Sequence, residues 1–386
     1  MPERYRGPVA QHRRIVAAIM VATVSTVYPG FLIGALTVQV SDEFSVTEAT
    51  YGWGLGGFFL AATAGSAVFG RLVQRVGPRR QILTGLVVTL AMNLYIALLA
   101  GGWWQLVGAL AVAGFVNASN QTAVNLALTQ AKIPRLGLAI ALKQSGMPMA
   151  SMISGLMVPA VALTVGWRWA YGLGAALAVV AIIGVLRYID PLRPARRQAR
   201  LGPVSGRRDL LMAAVLGGCL SFAAGSLNAW IVSSGVDAGL GEGTAGLMLS
   251  LGAASGIALR VFAGTRLDLM TLRPFLVAGL MVLAGAVGVA LLTVRSPGIH
   301  MIATLLAFAG GWVWPVFTNY GIVRTNAATA GAATGVTQMG VYIGVFLAPL
   351  VTGWLIEQYG YGTMWSVVVV MILVGSTLAL WVRNRF

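Results

Sequence analysis

The chain has 386 residues, of which 58% are hydrophobic and only 9% charged. Soluble domains carry about 25% charged residues. So few could not cover the surface of a water-soluble fold of this length, and a soluble globular protein is excluded. The net charge of +16 does not point to nucleic acid, because the basic residues form neither a face nor a tail. They sit in short clusters between long apolar runs, which points to a lipid bilayer as partner. Fifty glycines fit that reading: glycine is costly inside a soluble helix, but small residues let membrane helices approach closely.

A spanning helix requires about 20 apolar residues. The first run, from Ile15 to about Val40, is too long for a signal peptide and has no cleavage site after it, so it reads as a retained first span. Further runs lie near 50–70, 80–100, 104–129, 137–163 and 167–188. A second set lies near 210–234, 244–264, 274–294, 299–323, 332–355 and 361–382. The expectation is therefore an all-α integral membrane protein with 12 transmembrane helices.

Lys and Arg set the orientation. Arg4, Arg6, Arg13 and Arg14 precede the first span, and Arg71, Arg75, Arg79 and Arg80 separate the second and third. Lys132 and Arg135 follow the fourth. Arg187, Arg193, Arg196, Arg197, Arg200, Arg207 and Arg208 follow the sixth. Arg266 and Arg273 follow the eighth, Arg324 follows the tenth, and Arg383 and Arg385 end the chain. With alternating helices all of these fall on one side, against Arg168 and Arg295 on the other. Both termini are expected in the cytoplasm. Asp42, Glu43, Glu48, Asp237, Glu242 and Glu357 then lie outside, and Glu3, Asp190, Asp209 and Asp268 inside.

A Pro- and Arg-rich linker divides the chain into 1–189, 190–209 and 210–386. The two outer parts match at one constant, ungapped offset. Glu48, Thr50 and Gly52 match Glu242, Thr244 and Gly246; Arg79 matches Arg273; Asn125 matches Asn319; Gln144 and Gly146 match Gln338 and Gly340. Two six-helix halves related by an axis along the membrane normal are the plan of one large transporter class. The solute site is then expected between the halves near the midplane, with one half rocking against the other.

At this point the sequence resembles the major facilitator superfamily over essentially its whole length. The signature is the glycine-led basic loop between the second and third spans, GRLVQRVGPRR from Gly70 to Arg80, with its second copy GTRLD from Gly264 to Asp268. The family usually has an Asp where Gln74 stands, while Asp268 keeps the acid of the second copy. The resemblance implies a gating role for Gly70, Arg71, Arg79, Gly264 and Asp268; plain positive-inside anchoring is the other reading. Two stretches, GLAIALKQSGMP (137–148) and GIALRVFAG (256–264), are similar to bacterial porters for small anions of the cyanate and nitrate/nitrite type. In nitrate/nitrite porters an arginine one turn before the eighth-span glycine binds the anion, and Arg260 stands there. The second arginine of those porters maps to Ser66 and is missing, which argues against nitrate itself. A monomer in a bacterial inner membrane is what the resemblance implies.

Lys143 and Arg260 are the charged residues that fall well inside spans, and no Asp or Glu lies within the spans to pair with them. A charge in hydrocarbon is costly, by about 2.5–3.5 kcal/mol even on the lenient insertion scale. Two cations facing one cavity would attract an anion, and arginine's planar fork suits a carboxylate. Snorkelling to the nearby cytoplasmic end is the competing reading. Neutral polar candidates for the same cavity are Tyr28, Asn120, Asn228, Trp314 and the repeat-paired Gln144/Gln338 and Asn125/Asn319. Their competing role is helix–helix hydrogen bonding. Pro29, Pro148, Pro315 and Pro349 bend or break helices.

One cysteine, Cys219, and two distant histidines, His12 and His300, give neither a disulfide framework nor a metal cluster. There is no nucleotide-binding loop, and no cofactor is expected. The sequence thus reads as a secondary or facilitative transporter of a small anion, an organic carboxylate or a cyanate-like ion. The alternatives are a multidrug or metabolite exporter, disfavoured by the missing membrane acid, and a non-transporting receptor. A membrane enzyme lacks any acid/base pair within the spans.

Overall fold

The computed structural model describes residues 8–130, 141–189, 206–267, 273–326 and 330–385. Every regular element among them is helical. In chain order these are α1 Pro8–Ala35, α2 Thr37–Phe44, α3 Glu48–Val76, α4 Pro78–Leu98, α5 Trp103–Gln130 and α6 Gly146–Met157. There follow α7 Arg168–Tyr188, α8 Arg207–Asp237, α9 Glu242–Arg266, α10 Pro274–Leu291, α11 Pro297–Gly311, α12 Trp314–Thr325 and α13 Ala330–Val382. A π-helical turn, Val158–Ala162, extends α6.

Among the described residues, nine helical stretches are long and apolar enough to cross a membrane. One of them, Ala333–Val382, has 50 residues. At 1.5 Å per residue that is roughly 75 Å, more than twice a bilayer's hydrocarbon core. It is broken at Gly360, whose φ of 77° and ψ of 174° only glycine adopts without strain. α3 and α5, with 29 and 28 residues, are also long enough to cross.

Three spans depart from the sequence expectation. The first breaks at Leu36 and resumes as α2. The Thr37 hydroxyl, 2.7 Å from the Gly34 carbonyl and 3.1 Å from that of Ala229, caps the opened turn. The basic signature from Gly70 to Arg80, expected as a loop, is almost wholly helical. α3 runs on to Val76 and α4 starts at Pro78, so only Gly77 (φ 86°) lies outside a helix. Proline at the first helical position has its backbone angle preset and gives up an N–H with no helical partner. The chain therefore turns in one residue. The tenth span is split into α11 and α12.

Polar contacts gather at the two ends of the helices. At one end Glu43 accepts from Trp167 Nε1 at 2.6 Å and pairs with Arg168 at 2.5 Å. There too Gln39 meets Glu242 (2.5 Å), Glu357 meets the Ala49 amide (3.3 Å) and Arg295 pairs with Asp237 (2.7 Å). At the other end Arg14 lies over the Tyr188 ring, Arg79 donates to the Leu186 carbonyl at 2.9 Å, and Arg273 bonds Asn384. The acid-rich and basic ends are those the alternation of charges anticipated.

Contacts between helices of residues 8–189 and those of 206–385 sit on the acid-rich side and at mid-depth. A β-carbon at Gly52 would lie 2.5 Å from the Pro349 carbonyl oxygen, and one at Gly155 2.5 Å from that of Gly246. Ser250 donates to the Met152 carbonyl at 2.9 Å. At the basic end the hydrogen bonds of Arg79 and Arg273 stay within their own sets.

Backbone contact also ties α3 to α5, where a β-carbon at Gly114 would run into the Phe58 carbonyl; Gly108 on the same helix faces open space. Gly114→Val should lower stability by about 1–3 kcal/mol through overpacking, read as a lower Tm in detergent. Gly108→Ala should leave Tm unchanged or raise it. Equal effects at the two positions would contradict this packing.

Candidate functional site

The site is built around a break in the tenth span. Pro315 has no N–H, so the Gly311 carbonyl one turn before it has no helical donor. The Val316 amide bonds the Val313 carbonyl at 3.1 Å instead of that of Trp312. Two carbonyls are thereby released where α11 meets α12. A released carbonyl in an apolar interior has to find another donor.

Arg260 of α9 is that donor. Its Nε lies 2.8 Å from the Trp312 carbonyl oxygen, and Nη2 bonds the same oxygen. The third branch of the fork, Nη1, bonds the Gln144 carbonyl, just before α6. One guanidinium thus joins α9, the α11–α12 break and the fifth span. It is only 5% exposed. Gly256, one turn earlier, lets α9 come close to α11: a β-carbon there would lie 3.2 Å from the Phe308 carbonyl oxygen.

These partners are neutral. Among the described residues the ion pairs are Arg168–Glu43 and Arg295–Asp237, both at the acid-rich end. Arg260 therefore keeps a full positive charge against carbonyl dipoles alone. Lys143 adjoins Gln144 in the chain, is half-buried, and has no hydrogen-bond or ion-pair partner among the described residues. The indole nitrogens of Trp312 and Trp314 are buried donors without an acceptor among the described residues. The neighbourhood is rich in N–H donors and poor in acceptors.

Aromatic rings close one side. Phe31 of α1 stands edge-on to Phe59 (centroids 6.2 Å apart) and to Trp312 (6.1 Å), and Phe308 lies 4.8 Å from Trp312. Asn228 of α8 accepts a hydrogen bond from Ser151 of α6 and donates to the Phe31 carbonyl at 3.5 Å. It thus sits where the first, fifth and seventh spans meet.

The other sequence candidates are engaged elsewhere. The Tyr28 hydroxyl donates to the Ala170 carbonyl at 2.9 Å, joining α1 to α7. Asn120 donates to Ala22 O (3.1 Å) and Thr26 Oγ1 (2.9 Å), joining α5 to α1. Asn319 donates back to Pro315 O of its own helix at 2.8 Å, and Gln338 hydrogen-bonds Tyr342 one turn on. The Arg79 fork is held by the end of α7, and Gly264 is buried in α9. Gly70, Arg71 and Asn125 lie in helices, but their side-chain surroundings fall outside the described residues, and Asp268 lies outside them altogether.

Sequence reasoning missed Phe31, Phe59, Phe308 and Ser151, which carry no mark in a chain this apolar. It also missed the Trp312 carbonyl, although Pro315 four residues after Gly311 was its signal. No group of three or more His, Cys, Asp or Glu side chains that could hold a metal ion occurs among the described residues.

Comparison with known proteins agrees with this architecture. The gentisate transporter of Corynebacterium glutamicum is 22% identical over 377 residues, covering 88% of this chain and 82% of that protein. The profile of the Major Facilitator Superfamily matches residues 15–349. With that match over most of its length, and with membrane-spanning helices throughout, the chain belongs to the major facilitator superfamily of transporters.

Proposed function

We propose that this protein is a secondary transporter that carries a small organic anion across the membrane, held by Arg260. The observation that carries the reading is the Arg260 guanidinium, buried, charged and hydrogen-bonded to main-chain carbonyls without a carboxylate. A cation in such surroundings is costly, and intramembrane charges of this kind mark ligand pathways. Lys143 and the indole N–H groups of Trp312 and Trp314 add donors that a ligand rich in acceptors would satisfy. Arginine's fork matches the two oxygens of a carboxylate.

The relative that transports gentisate, an aromatic carboxylate, supports an organic acid over a cyanate-like ion. Phe31, Phe59 and Trp312 offer edges and faces against which a planar ring packs. Asn228 and Gln144 complete the candidate lining. The fold in this reading is twelve spans in two halves, 1–189 and 210–386, joined by the linker 190–209. The basic end faces the cytoplasm by the positive-inside rule, with the protein in the inner membrane of a bacterium. The acid-rich side is then the closed one, and the substrate leaves Arg260 towards the cytoplasm. The basic segment at Gly70, Arg71 and Arg79, with Gly264 and Asp268, is the gate that closes when the halves rock the other way.

Liposomes containing only this protein should take up labelled gentisate or benzoate. Arg260→Ala should reduce uptake at least about tenfold, since hydrogen bonds to a charged group contribute about 1.5–3 kcal/mol. Lys143→Ala should reduce it by a smaller factor. Uptake undiminished in Arg260→Ala would overturn the assignment, as would flux confined to cationic compounds. Tyr28→Phe removes the hydroxyl bonded to the Ala170 carbonyl and should cost about 0.5–1.5 kcal/mol of stability without changing the KM for the same anion. A raised KM with unchanged Tm would return Tyr28 to the site.

A further inference from the structure

We propose that Pro315 is a positioning residue: by breaking the tenth span it supplies the carbonyl that holds Arg260 when no anion is bound, so that the anion must displace a built-in competitor. The inference rests on the reading of Arg260 as the anion's ligand. The released Trp312 carbonyl takes Nε and Nη2, and the Gln144 carbonyl takes Nη1. A carboxylate cannot bind the Nε/Nη2 edge bidentately until the Trp312 carbonyl lets go.

The two acceptors belong to different sets of helices. Gln144 precedes α6, whereas Trp312 ends α11 and Arg260 lies on α9. The empty site is therefore tied across the two sets through the Gln144 carbonyl, while the anion's competitor, the Trp312 carbonyl, lies in the same set as Arg260. The freed Trp312 carbonyl has a ready partner: the Val316 amide, now 3.1 Å from the Val313 carbonyl, needs only to shift to the regular one-turn helical bond. Substrate binding is thus linked to a rearrangement of the tenth span at the α11–α12 break. An effect of this kind depends on unequal contacts of the ligand with the two states, which the displaced carbonyl provides.

Pro315→Ala tests this without touching any group that contacts the anion. The substitution restores an N–H for the Gly311 carbonyl, the helix closes, and the Val316 amide takes the Trp312 carbonyl from Arg260. Alanine in place of proline inside a helix favours folding, so loss of the protein is not the expected confounder. The measurement is the Kd of benzoate for the full-length protein in detergent by calorimetry, with net uptake turnover in liposomes. With the competitor removed, Kd should fall about tenfold, the factor for one hydrogen bond to a charged group. Net turnover should fall by a similar factor, because an anion held more tightly leaves the site more slowly. A merely structural proline would raise Tm and leave this split between Kd and turnover absent. An unchanged or weaker Kd in Pro315→Ala, beside normal binding by the wild type, overturns the proposal and leaves the anion reading standing. Absence of benzoate or gentisate binding by the wild type overturns the anion reading, and this proposal with it.

Discussion

A positive charge placed among apolar helices must be met by electron-rich groups, and here those groups are main-chain carbonyls. Arg260 is 5% exposed and joins the Trp312 and Gln144 carbonyls. A carbonyl offers its full accepting capacity within a span only where the helix is opened, because a regular helix already bonds one lone pair of each. The charge and the break in the tenth span therefore depend on each other. Without the break Arg260 would face apolar side chains, and without Arg260 the released carbonyl would stand unpaired.

The same principle orders the rest of the interior. Hydroxyls and amides buried between spans turn to carbonyls of neighbouring helices, as Tyr28 does to Ala170 and Asn120 to Ala22. These bonds pin the helices within each set. Among the described residues, ion pairs are confined to the ends, where Glu43 meets Arg168 and Asp237 meets Arg295. Against that background a donor-rich, acceptor-poor neighbourhood at mid-depth stands apart. Its orphan groups, the indole nitrogens of Trp312 and Trp314, are donors. Elsewhere unpaired groups are mixed, as in Asn93, where both amide atoms lack a partner. The Arg260 neighbourhood is thus suited to a ligand that brings acceptors.

That the chain is built of membrane-spanning helices was legible in the sequence because length and apolarity alone decide it. The two polar ends were legible because Lys and Arg cluster where helices emerge. Arg260 and Lys143 stood out for the same reason, as charges inside apolar runs. What escaped was decided by single backbone units. The basic signature looked like a loop because of its charge, yet one glycine, Gly77, is enough to turn the chain. The tenth span read as continuous because Trp312 and Val313 are as apolar as their neighbours. The roles of Tyr28 and Asn120 were hidden for a different reason: a polar side chain in a span reads alike whether it faces a cavity or the next helix. Phe31 and Phe59 could not be singled out, since ring contacts between distant spans leave no local pattern.

The central claim is that the charge of the bound solute is what Arg260 recognises. The most direct test is thermal unfolding of the purified protein with benzoate and with benzamide, its neutral analogue of the same shape. A ligand at about 100 times its Kd stabilises the folded state by roughly 2.7 kcal/mol. The account predicts that benzoate raises Tm, that benzamide does not, and that Arg260→Gln abolishes the shift. Equal shifts with the two compounds, or a benzoate shift that survives in Arg260→Gln, would contradict it.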